Sequence, residues 1–210
     1  AQGPDGAIYI VDMYREIIED YSAIPRFLQQ QYVESLIAGH DRGRIWRLKA
    51  EGGRPWRPVD MTKESTEKLV ERLKDSNAWW RDTAQRLLVE RKDRRAAAPL
   101  ETLARQGETP QARLHALCTL EGLGALKREV VAAALEDSHF AVRAHAVRLS
   151  EPWLDGRESL LPKLAAMACE EPEAKVRLQL ALSLGETKES AAAGAMATLA
   201  RSHGNDPWMA

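Results

Sequence analysis

One arginine recurs along this chain at nearly constant spacing: Arg81, Arg113, Arg143 and Arg177 lie 32, 30 and 34 residues apart. Six residues before each stands a turn or capping position, Asp75, Gly107, Asp137 and Glu171. Soon after each comes an apolar run: T-A-Q-R-L-L-V-E, L-H-A-L-C-T-L-E-G-L-G, A-H-A-V-R-L-S and L-Q-L-A-L-S-L-G. A period of this size is too regular for chance and too loose for a coiled coil. It specifies a helical solenoid, in which no single unit buries its own apolar face and stability comes from stacking. The expected fold is therefore mainly α: a right-handed α-solenoid of four complete repeats and a truncated fifth over residues 61–210.

Within each repeat a first helix (A) precedes a second (B). The first A helix, about Ser65 to Lys74, carries Leu69, Val70 and Leu73 on one stripe. Asp75 or Asn77 can cap the following B helix, whose inner side is Trp80, Ala84, Leu87 and Leu88. Copy two has Ala96 to Ala104, then Pro110 in a helix first turn, where a missing N–H costs nothing, and an inner row of Leu114, Leu117, Leu120 and Leu123. Copy three places Val130, Val131, Ala134 and Leu135 before an Asp137-Ser138 cap, with Val142, Ala146 and Leu149 inside. In copy four Leu160, Leu161, Leu164 and Met167 pair with Val176, Leu180 and Leu184, and Pro172 sits at a helix start. A fifth A helix should run from about Lys188 to Arg201, with its B helix beginning at Asp206.

The repeated arginine falls in the second turn of helix B. From there it can reach the neighbouring repeat and bond turn carbonyls or a capping carboxylate, fixing the stacking register. The alternative is an arginine row that binds anions. This Asp-to-Arg pattern resembles HEAT and HEAT-like (phycobilisome-lyase type) repeats, best in D-S-H-F-A-V-R-A-H-A-V-R-L at Asp137 to Leu149. The resemblance implies fold, not chemistry.

Residues 1–50 are different. Gly3-Pro4-Asp5-Gly6 is turn chemistry, followed by a strand, Ala7 to Asp12, by β-propensity and alternation. Gly43 to Leu48 reads as a second strand. The intervening excursion, Met13 to Arg42, holds a helix around Phe27 to Ile37. Two strands do not make a stable sheet alone, so their partners should lie elsewhere. Residues 51–60 read as a linker, with Trp56 as its anchor.

The strings G-P-D-G-A-I-Y-I-V-D and D-R-G-R-I-W-R-L resemble the closing blade of the β-propeller of soluble quinoprotein sugar dehydrogenases. Their joining, through D-M-Y-R-E-I-I-E-D-Y-S-A-I-P, to repeats opening W-W-R-D-T-A-Q-R-L-L-V-E-R is similar to the membrane-bound dehydrogenase-like, haem-binding CxxCH proteins of planctomycetes and verrucomicrobia. In that family a propeller is followed by helical repeats and then by a cytochrome-c-like domain. The resemblance implies an exported, redox-active parent that oxidises sugars or other alcohols. It implies no cofactor in this segment, with haem c held only downstream. The string Cys-x-x-Cys-His is not found here, since Cys118 is followed by Thr-Leu-Glu and Cys169 by Glu-Glu-Pro. The chain opens at Ala1 without methionine and stops where a helix should begin, so it reads as an excised piece. Its end at Asp206 to Ala210 should leave apolar surface open to weak self-association.

Thirty basic against thirty-one acidic residues give a net charge of −1, which does not favour nucleic acid or an anionic membrane as partner. Trp79, Trp80, Arg81 and Asp82 superficially invite a DNA-repair reading of the alkylpurine glycosylase type, but phosphate contacts need clustered cations. The expected partners are proteins: other domains of the parent or a redox partner. No apolar run is long enough to span a membrane. Cys118 and Cys169 read as small buried hydrophobes in separate repeats. His115 and Cys118 share a helix face but are too few for a metal. Asp12, Tyr14, Arg15, Glu16, Glu19 and Asp20 cluster just after a strand. Either they line a ligand site in the intact parent, or Asp12 and Arg15 fasten the long loop, with Asp41 and Arg42 at its other end. Adjacent Trp79 and Trp80 stand about 100° apart on a helix, so one should be buried between repeats and the other should face elsewhere. The leading expectation is a non-catalytic spacer and docking surface, and the alternative is part of a dehydrogenase active site.

Overall fold

The computed structural model describes residues 1–15, 21–31, 33–52 and 57–204. The protein is mainly α: among these residues lie eleven α-helices and one two-stranded antiparallel sheet. The chain divides into two compact units, residues 1–59 with 77–79, and residues 60–76 with 80–210.

In the first unit the Gly3-Pro4-Asp5-Gly6 segment closes a turn, with the Gly6 N–H donating to the Gly3 carbonyl at 3.0 Å and Gly6 at φ 77°. A left-handed φ is costly for any residue with a Cβ, which is why glycine stands there. Strand β1 (Ile8–Asp12) pairs with β2 (Arg44–Leu48) in the register Ile8↔Leu48 through Asp12↔Arg44. Between them run two short helices, α1 (Arg26–Gln31) and α2 (Val33–Ile37), where the sequence suggested one. Gly39 (φ 76°) then passes so close to Tyr14 that a Cβ would meet its carbonyl oxygen at 1.9 Å, so only glycine fits. The hairpin buries little: Ile8, Val11, Ile45, Trp46 and Leu48 are all more than half exposed.

The second unit is a succession of helix pairs: α3 (Thr66–Arg72) with α4 (Ala78–Arg91), α5 (Ala97–Gln106) with α6 (Pro110–Gly122), α7 (Arg128–Ala134) with α8 (Phe140–Leu149), and α9 (Leu161–Glu170) with α10 (Ala174–Leu184). Helix α11 (Ser190–His203) opens the next pair. Helices α5 and α6 pack on each other, and α6 on α8, α8 on α10, α5 on α7 and α9 on α11. First helices thus meet the next first helix at α3–α5, α5–α7 and α9–α11, and second helices the next second helix at α6–α8 and α8–α10. Leu69, Leu88, Leu117, Leu164 and Leu184 are fully buried in these layers, each stabilising by about 1.5–3 kcal/mol relative to exposure. A lone pair would leave in water the side of these residues that its neighbours cover, which is the physical basis of the repeat.

Of the two cap candidates for α4 it is Asn77 that serves, and later caps differ from the sequence reading. Asn77 Oδ1 accepts from the Trp79 N–H at 2.9 Å at the start of α4. Thr109 caps α6 ahead of Pro110. At α8 the cap is His139, whose Nδ1 accepts from the Ala141 N–H at 3.2 Å, because the Asp137 carboxylate two residues back is engaged by Arg113. Helix α10 begins at Ala174, two residues past Pro172. Along α6 the buried row is Ala112, Ala116, Leu117 and Leu120, and Leu114 is half-buried. Trp56 of the linker, the B helix expected from Asp206 and the exposed end expected at Asp206 to Ala210 all fall outside the described residues.

Candidate functional site

The four arginines form a ladder. Each sits in the second helix of its pair and turns one guanidinium nitrogen back onto the turn that precedes it. Nη1 donates to the Asp75 and Ser76 carbonyls from Arg81 (2.7 and 2.9 Å), and to the Gly107 carbonyl from Arg113 (2.7 Å). From Arg143 it reaches the Asp137 and Ser138 carbonyls (2.9 and 3.2 Å), and from Arg177 those of Glu171 and Pro172 (3.1 and 2.6 Å). These carbonyls belong to the chain between two helices, where no helical N–H reaches them.

The opposite edge of the fork crosses to the next pair. Arg113 donates through Nε and Nη2 to both carboxylate oxygens of Asp137 at 2.6 and 2.8 Å, and Arg143 likewise to Glu171 at 3.0 and 2.6 Å. Each carboxylate also accepts the backbone N–H two residues on, from His139 at 2.8 Å and Glu173 at 3.1 Å. One bidentate bridge therefore ties the second helix of one pair to the helix start of the next, in the geometry that makes arginine stronger than lysine here. Burial pushes the Asp137 carboxyl up, but Arg113 and the His139 N–H outweigh it and hold the group below its ordinary value. Hydrogen bonding to Glu171 raises Arg143 against the opposing effect of burial.

Arg81 lacks the second half of this arrangement. The position equivalent to Asp137 and Glu171 is Gly107, which has no side chain, and the buried Nε of Arg81 has no hydrogen-bond partner among the described residues. For Arg177 the residues after α11, past Gly204, lie outside the described ones. Further bridges one repeat apart reinforce the stack: Arg148 to Glu121 at 3.1 and 3.0 Å, Lys163 to Glu136 at 2.6 Å, and Ser183 to Glu151 at 2.6 Å. The sequence reading did not single these out. For the two ion pairs a basic residue 27 positions after an acid, close to one period, was the available signal.

In the first unit, Asp12 is spent within the hairpin. Its Oδ2 accepts from Trp46 Nε1 and Arg44 Nε, both at 2.9 Å, and its Oδ1 from the Tyr14 N–H at 2.9 Å. Those donors, Trp46 first, hold its carboxyl below the ordinary value. The Arg44 guanidinium lies 4.2 Å from the Tyr14 ring and 5.0 Å from the Trp46 ring, at cation–π distance from both. Arg15 is exposed, and Glu16, Glu19 and Asp20 lie outside the described residues. Asp5, missed by the sequence reading as a partner, accepts from Arg47, Tyr9 Oη and the Ala7 N–H, clamping the turn to β2.

Trp80 is buried, with the Arg72 guanidinium 4.6 Å over its ring, and Trp79 is half-buried. His115 Nδ1 bonds Gln85 Oε1 at 2.7 Å, and burial, aided by Arg81, lowers its pKa against the opposing Asp82. Cys118 is half-buried, its thiol pKa pushed up by burial, and Cys169 is exposed. Among the described residues no group of three or more His, Cys, Asp or Glu could hold a metal, and no helix is long and apolar enough to cross a membrane.

The fold and the ladder define a mainly α protein of stacked helical repeats preceded by a β-hairpin unit. A family model described as a domain of unknown function (DUF7133) matches residues 1–52, the hairpin unit and not the repeats. No curated protein matches the chain.

Proposed function

We propose that this chain is a non-catalytic scaffold: a helical spacer and docking surface that holds a dehydrogenase-like propeller and a downstream electron-transfer domain in a fixed relation within a larger exported redox protein. The observation that carries this reading is the ladder. Arg113, Arg143, Asp137 and Glu171 are consumed in fixing one helix pair against the next, a use of charge that stiffens a spacer and leaves these groups unavailable to a substrate. The exposed apolar residues of the hairpin, Ile8, Val11, Ile45, Trp46 and Leu48, support its being one part of a larger sheet, as the last strands of a propeller blade would be. The partners in this reading are proteins, and haem c belongs to the downstream domain.

The test compares dye reduction by sugars and alcohols for this chain alone and for a longer product carrying its natural flanking regions. The chain alone should be inert and the longer product active. Turnover by the chain alone would overturn the scaffold reading, and an inert longer product without bound haem would overturn the dehydrogenase assignment.

The ladder also bears on the nucleic-acid alternative. Arg81 is folded back on its own turn and Trp80 is buried, so neither is presented as a phosphate or base contact. A titration with duplex DNA at low salt should give no binding; tight binding with a steep salt dependence would restore that alternative.

A further inference from the structure

We propose that the joint between the first and second helix pairs, α3–α4 against α5–α6, is the hinge of the helical unit, because the carboxylate that locks the later joints is missing there. Three observations meet at this joint. The Arg81 guanidinium is set on its turn as Arg113 and Arg143 are set on theirs, yet its Nε is buried with no hydrogen-bond partner among the described residues. Gly107 occupies the place from which Asp137 and Glu171 supply their carboxylates at the next two joints. A solvent-open groove of about 720 Å³ lies between α3 and α5–α6, lined by Val70, Leu103, Gly107 and Ala112, whereas the one beside Arg113 and Asp137 is about 470 Å³.

A buried donor without an acceptor disfavours the packed joint, and a wider groove leaves fewer side-chain contacts across it, so both act in the same direction. What crosses between the second helices here is the hydrogen bond that His115 Nδ1 donates to Gln85 Oε1 at 2.7 Å, with His115 Nε2 3.8 Å from Asp82 Oδ1, weaker than a bidentate charged pair. A Cβ at Gly107 would stand 2.7 Å from the Leu103 carbonyl oxygen, so an acid at position 107 needs a small shift of that turn, toward the backbone that already carries Glu171. Gly107 has φ −57° and ψ 129° with its N–H on Leu103 O at 2.9 Å, and Glu171 carries a side chain at φ −68° and ψ 117° with its N–H on Met167 O at 2.9 Å.

Amide hydrogen exchange of the whole chain, read by mass spectrometry, tests the proposal. In the unsubstituted protein α3 and α4 should exchange together as one block ahead of α5 to α8. Gly107→Glu should slow that block by about tenfold, the worth of one charged hydrogen bond. Arg113→Gln, which breaks the next joint, should enlarge the early block to include α5 and α6. Exchange of α3 to α8 as a single block in the unsubstituted protein would overturn the hinge. An early block that Arg113→Gln leaves ending at α4 would overturn the role given to the carboxylates.

Discussion

The helical unit and the hairpin unit contain comparable side chains and use them in opposite ways. In the repeats, leucines such as Leu117 and Leu164 are fully buried and the bridging charges lie nearly dry between pairs. In the hairpin, Ile45 and Trp46 stand more than half in water, and the unit is held by polar clamps, Asp12 with Arg44 and Trp46, and Asp5 with Arg47. A stack of helices makes its own interior by adding copies, whereas two strands have nothing to close on.

The largest expected effect comes from the stack's interior. Leu117→Ala should destabilise the helical unit by about 2–5 kcal/mol, whereas Ile45→Ala should change stability by no more than about 0.5 kcal/mol; urea melts followed by circular dichroism measure both. Equal effects would erase the contrast between the two units.

The ladder comes next. Arg113→Ala removes a bidentate bridge whose side chains are only 12% and 10% exposed, and it strands Asp137. It should cost about 2–3 kcal/mol in the same melts. A loss below about 0.5 kcal/mol would mean that the ladder decorates the stack without holding it.

Acid should act through the same bridge. The Asp137 carboxyl has a lowered pKa in the folded protein, so its contribution is fully present above the unfolded value near pH 4. That contribution is lost as pH falls through the folded value. Melting temperature should drop more steeply below about pH 4 in the parent than in Asp137→Asn, and parallel curves would contradict the assignment.

The smallest effect belongs to exposed pairs. Arg86 and Glu90 lie one turn apart at 3.0 Å, with side chains 61% and 55% exposed. Glu90→Gln should therefore cost under about 0.5 kcal/mol.

Much of this architecture is legible from the residues, for reasons that also set the limit. Leu69, Val70 and Leu73, or Val176, Leu180 and Leu184, follow the 3.6-residue period, and periodicity reports which side faces inward whatever lies opposite. The turns of the hairpin follow from Gly6 and its neighbours in the same local way. Where distant partners compete, local rules lose their grip. Asp137 has the identity of a helix cap, but Arg113 and the His139 N–H claim its carboxylate and His139 takes over the cap. Pro172 has the identity of a first-turn residue, but its carbonyl goes to Arg177 and the helix starts later. The pairing of Arg113 with Asp137 and of Arg143 with Glu171 spans 24 and 28 residues, an offset set by how far one pair slides on the next. Sequence spacing alone does not encode that slide.

The central claim is that each helix pair is stable only through its neighbours, and the most direct test is to remove them. A peptide of residues 97–123, holding α5 and α6 with no adjoining pair, should show little helical signal in circular dichroism at 25 °C and no cooperative melt. Residues 60–204 should melt cooperatively. A stably helical, cooperatively melting 97–123 peptide would contradict the account.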